Sequence, residues 1–366
     1  MSKGISNDKK PKKNKIDFLE VFNFFKKEGH FTTVGKILGK GSFGEVREIV
    51  YKNKIMAAKI VMQEKNQKFV AQGNDEKSGE YLAYDLKGRN IIKINKIVLK
   101  QYDGKFYYLI IMEKAVLRDL GKLTDFYHNH NLLKLIFPPF DQNTSDNLLR
   151  FYALQIMNAL ELLNRNKLVH FDLKPENLLI TINLTIKLSD FSLLRKVDDK
   201  AKIKIPGGTN GYVTLEYYEK DEKVSSEVAR QQDYFSFGAT LYYIKYGKQM
   251  LKYKKCEDGI AYGLAILEKL QTEISRICAD NFSDQEFISF LVSLIGYKPE
   301  IRPTFEEIYR NKWLNRNVQE LEDTFWEFEC DEEKLIMELQ KKDFLIEKEK
   351  EINKKPNKYT FKKRNK

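Results

Sequence analysis

From Phe31 to Val61 the pattern of apolar and polar positions is strand-like. FTTVGKIL, EVREIVYK and KIMAAKIV are rich in β-branched and aromatic residues, with a turn centred on Asn53 before the third. Side chains alternate faces along a strand, so this pattern predicts strands. A helix is expected from about Asp75 to Lys87, with Asn74 or Asp75 as its cap. IIKINKIVLKQ and KFYYLIIME then predict a hairpin around Asp103-Gly104. Beyond Leu117 the period lengthens to that of helices. In DNLLRFYALQIMNALELLNR the apolar positions Leu148, Phe151, Tyr152, Ile156, Ala159, Leu160 and Leu163 share one helical face. The Pro- and Asn-containing KLIFPPFDQNTSDN, residues 134–147, reads as a loop, and further helices follow Glu216 up to about Leu314. Strands first and helices afterwards predict an α+β, two-lobed fold. The boundaries expected are a basic segment 1–19, a sheet lobe 20–116, a helical lobe 117–315 and a charged, partly helical extension 316–366.

Charge changes the picture little once it is located. The formal net charge is +12, yet residues 1–15 carry +5 and residues 352–366 carry +7, so residues 16–351 are neutral. The basicity belongs to two ends, which read either as solvated tails or as holds for an acidic or phosphate-rich partner. Three cysteines at Cys256, Cys278 and Cys330 form no metal-ligand spacing and read as reduced thiols. No apolar run reaches the roughly 18 residues of a membrane span, and the Lys-rich start is not a secretory signal. An intracellular protein, cytoplasmic or nuclear, is expected. In TFWEFECDEEKLIMEL, the cluster Phe325, Trp326 and Phe328 is expected either to dock on the folded body or to cap the helices.

The chemistry concentrates in a few stretches. GKGSFGEV spaces Gly39, Gly41 and Gly44 as a turn between strands, where backbone N–H groups can approach phosphate oxygens closely. A strand follows it, not the helix a dinucleotide site needs. Fifteen residues past Gly44, Lys59 is the one cation in IMAAKIV. Such an amine wants phosphates and a carboxylate beside it, for which Glu80 is the candidate and Glu76 the alternative. VHFDLKPENLLI offers Asp172, Lys174 and Asn177, and DFS offers Asp190 eighteen residues after Asp172. Asp190 and Asn177 supply hard oxygens for divalent cations that bridge phosphates. Asp172 is then left to align a hydroxyl nucleophile and take its proton, and Lys174 to offset charge on a transferring phosphoryl group.

In this order the motifs GKGSFGEV, AAKI, HFDLKPEN, DFS, GTNGYVTLE, DYFSFG and KPEIRPT resemble those of eukaryotic-type protein kinases, from about Phe31 to Leu314. The resemblance implies ATP and Mg²⁺, or Mn²⁺, as cofactors and proteins as substrates. It implies that Gly39, Lys40, Gly41, Ser42, Phe43 and Gly44 form the loop over the nucleotide, and that Lys59 pairs with Glu80. Val46, Ala57 and Leu179 would enclose the adenine. Met112 would border its pocket, with the backbone of Glu113 to Ala115 bonding the base and Asp119 near the ribose. Asp172 would be the catalytic base, and Asn177 and Asp190 would hold metal. Asp233 would buttress the catalytic loop, and Glu216 would pair with Arg302. Tyr84, Ile94, Phe191 and His170 would stack as an internal spine. Lys174 together with Thr209 is similar to the serine/threonine branch. A kinase-like binding module without strong catalysis is the alternative reading.

The sequence departs from the family pattern at Phe171. Many members carry an arginine there, which clamps a phosphate on the activation segment through paired charged hydrogen bonds. The segment LLRKVDDKAKIKIPGG, residues 193–208, contains no Ser, Thr or Tyr. Receptor and phosphate acceptor are absent together, so a segment that orders without phosphorylation is expected. Ser192 stands where the family has glycine, and Thr214-Leu215-Glu216 replaces the usual Ala-Pro-Glu while keeping the carboxylate.

Overall fold

The structure, a computed structural model, describes residues 16–41, 44–63, 79–115, 119–130, 142–181, 183–218, 223–251, 259–279 and 284–321. Ser42, Phe43, Glu76, the helix cap expected at 74–75, the Phe325–Trp326–Phe328 cluster and both basic ends lie outside the described residues. By its contacts the chain divides into two units, Met1–Lys77 with Lys93–Lys114, and Ser78–Ile92 with Ala115–Lys366.

In the first unit, helix α1 (Phe18–Lys27) starts at Asp17, whose carboxylate accepts the Leu19 N–H at 2.9 Å. Strands β1 (Thr33–Lys40), β2 (Gly44–Tyr51), β3 (Lys54–Met62), β4 (Ile94–Tyr102) and β5 (Lys105–Met112) form an antiparallel sheet in the order β1-β2-β3-β5-β4. Both expected turns are present. Lys52 and Asn53, and again Asp103 and Gly104, have positive φ, the two-residue geometry that matches the twist of paired strands. On β3, Met56, Ala58 and Ile60 join Ile49, Tyr107, Leu109 and Ile111 in a core with Val21, Phe22 and Phe25 of α1. The intervening residues Ala57, Lys59 and Val61 therefore face the other side of the sheet.

The second unit is mainly helical. It holds α2 (Gly79–Tyr84), α3 (Leu120–His130), α4 (Gln142–Arg165), α5 (Ser226–Tyr246), α6 (Gly259–Cys278), α7 (Gln285–Leu294) and α8 (Phe305–Tyr309). Two small antiparallel pairs join strands β6 (Leu168–Val169) with β9 (Arg195–Lys196), and β7 (Leu178–Ile180) with β8 (Ile186–Leu188). The apolar face expected of α4 is buried throughout. Gln155 on that helix accepts from Asn90 and from the Ile186 N–H, and donates to the Leu184 carbonyl, pinning the β7–β8 hairpin to the helix.

Two elements differ from expectation. The stretch 142–147 is helix, not loop: α4 begins at Gln142, and Asp146 and Asn147 are tied there to Lys245 and Arg150. At the other boundary, α2 ends at Tyr84, not Lys87. Leu86 closes a tighter turn onto the Ala83 carbonyl and buries its side chain, which takes the chain off the helical path.

Candidate active site

Strand register sets the placement of the candidate residues in the first unit. Val46 pairs across with Lys59, and Ala57 with Met112, so all four occupy the sheet face opposite the α1 core. Gly39 lies opposite Val46, and Gly41 donates to the Gly44 carbonyl at 2.9 Å to close the loop. A Cβ at Gly44 would stand 2.3 Å from the Ile60 carbonyl oxygen, so the position requires glycine. Among the described residues, nothing lies within 4 Å of a Cβ placed at Gly39. Lys40 turns its amine to Glu45 at 3.0 Å. The Glu113 N–H is taken by the Lys93 carbonyl, so what its backbone offers a base is the carbonyl.

In the second unit the loop between β6 and β7 gathers the polar groups. Asp172 Oδ1 accepts the Thr209 hydroxyl at 2.6 Å, and Oδ2 accepts Lys174 Nζ at 2.8 Å. Lys174 also donates to the Thr209 hydroxyl at 2.7 Å, closing a triangle. A 3-10 turn at Pro175–Asn177 brings Asn177 back, and its amide nitrogen donates to the backbone carbonyl and to Oδ2 of Asp172, at 2.7 and 3.0 Å. With both amide hydrogens spent on Asp172, the side-chain carbonyl is the atom Asn177 can give a cation. The hairpin register Leu178↔Leu188 sets Ser189 against Asn177, and Asp190 follows directly. Asp190 adopts φ 58° and ψ 74°, a left-handed conformation in which a non-glycine residue is strained and which marks functional turns. A carboxylate and an amide oxygen are hard ligands of the kind Mg²⁺ accepts alongside phosphate oxygens, so this donor set fits the implied metal. Leu179 bridges to Asp119. The Asp119 carboxylate caps the first turn of α3 and pairs with Lys122 at 2.7 Å.

Behind the loop, Asp233 on α5 accepts the N–H groups of His170 and Phe171 at 2.7 and 2.9 Å. Burial pushes its carboxyl up to about 7, against the downward pull of those two bonds. His170 is fully buried, and burial holds its imidazole below its usual range. Its Nδ1 accepts the Asp172 N–H, so Nε2 carries the proton and donates to the Ser189 carbonyl at 3.1 Å. One imidazole thus links the Asp172 loop to the residue before Asp190. The His170 ring meets Phe191 edge-on, with centroids 5.6 Å apart. Tyr84, expected in the spine, is 44% exposed at the end of α2.

Phe171 is wholly buried. It shares an apolar cluster with Val169, Val197, Ile205 and Ala229, against which Leu193, Ile203, Tyr217 and Val224 pack. Four of these, Leu193, Val197, Ile203 and Ile205, belong to the segment that lacks phosphate acceptors. Asp199 in the same segment accepts from Arg230 at 2.7 Å, Lys167 at 3.0 Å and Ser226 at 3.1 Å. Neither anchor was read from the sequence, although the spacing of Val197, Ile203 and Ile205 carried the signal. At the segment's far end Arg302, almost fully buried, meets Glu216 at 2.5 Å and the Gly296 carbonyl at 2.8 Å.

The protein kinase domain profile matches residues 32–314. An Aurora kinase of Saccharomyces cerevisiae is 28% identical over 299 residues, covering 80% of this chain and 70% of that protein. The serine/threonine-protein kinase stk11 of Xenopus laevis is 25% identical over 285 residues, covering 77% and 60%. A 3-phosphoinositide-dependent protein kinase B of Dictyostelium discoideum is 26% identical over 287 residues, 76% of this chain but 28% of that protein. The chain therefore spans from 28% to 70% of the length of these relatives. With a profile match over more than half its residues, the chain belongs to the protein kinase domain family.

Proposed function

We propose that the chain transfers the γ-phosphoryl group of ATP to serine or threonine hydroxyls of protein substrates. The arrangement of Asp172 carries this reading. One of its oxygens is held by Thr209 and the other by Lys174, so the carboxylate is oriented before a substrate arrives. In the reaction Asp172 aligns the acceptor hydroxyl and takes its proton, while Lys174 offsets charge on the phosphoryl oxygens. Asn177 and Asp190 would hold Mg²⁺, which would supply neutralisation of the phosphate charge. Lys59 has the role of contacting the phosphates, with the glycine turn of Gly39, Gly41 and Gly44 offering its backbone to them. Val46, Ala57 and Met112, on one sheet face, meet the adenine from the first unit, and the Glu113 carbonyl bonds it.

The activation segment needs no phosphate in this reading. Two features support that: the cluster around Phe171, and the three donors that converge on Asp199. Burying an apolar side chain of this size contributes on the order of 2 kcal/mol, available without modification. Labelled ATP, Mg²⁺ and a mixed protein substrate provide the test. Label on serine or threonine that is lost with Asp190→Ala supports transfer, whereas nucleotide binding without transfer favours a kinase-fold binding module. Phosphatase treatment of the active protein leaves its rate unchanged; a large loss would refute the unmodified segment.

A further inference from the structure

Gly79 is the first described residue of helix α2, one residue before Glu80. A Cβ built on it would lie 1.8 Å from the Phe191 carbonyl oxygen, 2.9 Å from Leu194 Cβ and 3.0 Å from Leu194 N. Heavy atoms do not approach to 1.8 Å, and a backbone oxygen cannot rotate away as a side-chain tip can. The φ of Gly79 is not among the positive values. The position therefore uses the missing side chain and not the backbone freedom of glycine. Gly88 is a contrast: a Cβ there would meet the flexible tip of Leu162 at 2.6 Å.

What Gly79 touches matters for the site. Phe191 follows Asp190, whose left-handed conformation starts the 3-10 turn Phe191–Leu193, and the Leu194 N–H closes that turn on the Phe191 carbonyl at 3.0 Å. Helix α2 thus rests on the backbone of the turn that aims Asp190, and Glu80 leaves the helix next to the contact.

We infer that Gly79 is a positioning residue: its absent side chain seats α2 directly on the Asp190 turn and fixes Glu80 and Asp190 relative to each other. An added methyl group must part helix and turn by roughly an ångström or more, a displacement that can cost about a hundredfold in rate at a reacting centre. Alanine would ordinarily favour a helix over glycine by about 1 kcal/mol, so steric need here outweighs propensity. The inference rests on the phosphoryl-transfer reading for its kinetic consequence, but not for the contact itself.

The test compares Gly79→Ala with wild type and with Gly88→Ala in the full chain. Gly79→Ala lowers kcat by about ten- to a hundredfold and raises the Mg²⁺ concentration for half-maximal rate severalfold, with the peptide KM within about threefold. Gly88→Ala stays within about threefold of wild type in all three, because a side-chain tip yields. A Gly79→Ala enzyme with wild-type kcat and Mg²⁺ dependence would overturn the inference. Hydrogen exchange on the wild type decides the matter if that variant does not fold. The amides of α2 and the Leu194 amide then open as one unit across denaturant; independent opening would overturn the shared seat. A wild type that transfers no phosphate sinks the functional reading, and the exchange result still judges the contact.

Discussion

The Thr209 hydroxyl donates to Asp172 Oδ1 at 2.6 Å, joining residues 37 apart in sequence. Thr209 also accepts from Lys174, so it fixes both the base and the cation beside it. Thr209→Val keeps the shape and removes both bonds. Its kcat drops by about ten- to a hundredfold, part of what an aligned base contributes, while the KM for ATP changes little. Thr209→Ser retains the hydroxyl and stays within a few fold. Steady-state kinetics at saturating Mg²⁺ on the three proteins would show this, and an active Thr209→Val would remove Thr209 from the site.

Asp233 makes stability depend on pH in a definite direction. Its carboxyl is pushed up to about 7 by burial, while the unfolded chain titrates it near 3.8. Between those values the folded protein holds a proton that the unfolded chain has lost. The stabilisation is complete below the unfolded value and disappears as pH rises through about 7. His170 acts oppositely, since burial lowers its pKa and stability declines as pH falls below its usual 6.5. Asp233→Asn leaves His170 in place, so the difference between wild type and variant isolates Asp233. In urea unfolding from pH 5 to 8, that difference shifts against the wild type as pH rises, by up to a few kcal/mol. A flat difference would show that Asp233 stays ionised, held so by the two N–H groups it accepts.

Much of this was legible because short-range rules govern it. The turns at Asn53 and at Asp103-Gly104 follow from residues that tolerate positive φ, and the face of α4 follows from its period. The loop chemistry was legible because Asp172, Lys174 and Asn177 lie within six residues. What stayed hidden depends on distant partners. Phe171 reads as the loss of an arginine until Val197 and Ile205 are seen to share its cluster. Asp199 reads as a loop acid until Arg230 and Lys167 converge on it. Gly79 looks ordinary in sequence, since nothing local announces that Phe191 lies against it. Helix α1 has Val21, Phe22 and Phe25 at helical spacing, but ten residues with so many aromatics satisfy a strand pattern nearly as well.

The Arg302–Glu216 pair is buried yet incompletely satisfied: among the described residues, Arg302 Nη1 and Glu216 Oε2 have no hydrogen-bond partner. Removing one member strands the other's charge, which costs roughly 3–5 kcal/mol. Arg302→Met is therefore expected to lose about that much in urea unfolding. Adding Glu216→Gln recovers part of it, because the uncompensated carboxylate is gone. A double variant no more stable than Arg302→Met would mean that packing around Arg302, including its bond to the Gly296 carbonyl, accounts for the loss.

Helix α1 ends before residue 32, where the kinase domain profile begins, yet Phe22 and Phe25 are fully buried against the sheet. Leu19 on the same helix is 41% exposed. The helix covers the face opposite Ala57 and Lys59, so its contribution falls on stability ahead of nucleotide contact. Phe25→Ala opens a core cavity and costs about 3–5 kcal/mol, whereas Leu19→Ala stays within about 0.5 kcal/mol. At temperatures where Phe25→Ala remains folded, its KM for ATP stays within about twofold of wild type. Urea unfolding and ATP kinetics on both variants decide this: equal stability losses would mean that α1 is not docked through this face, and a large rise in the KM would mean that the two faces of the sheet are coupled.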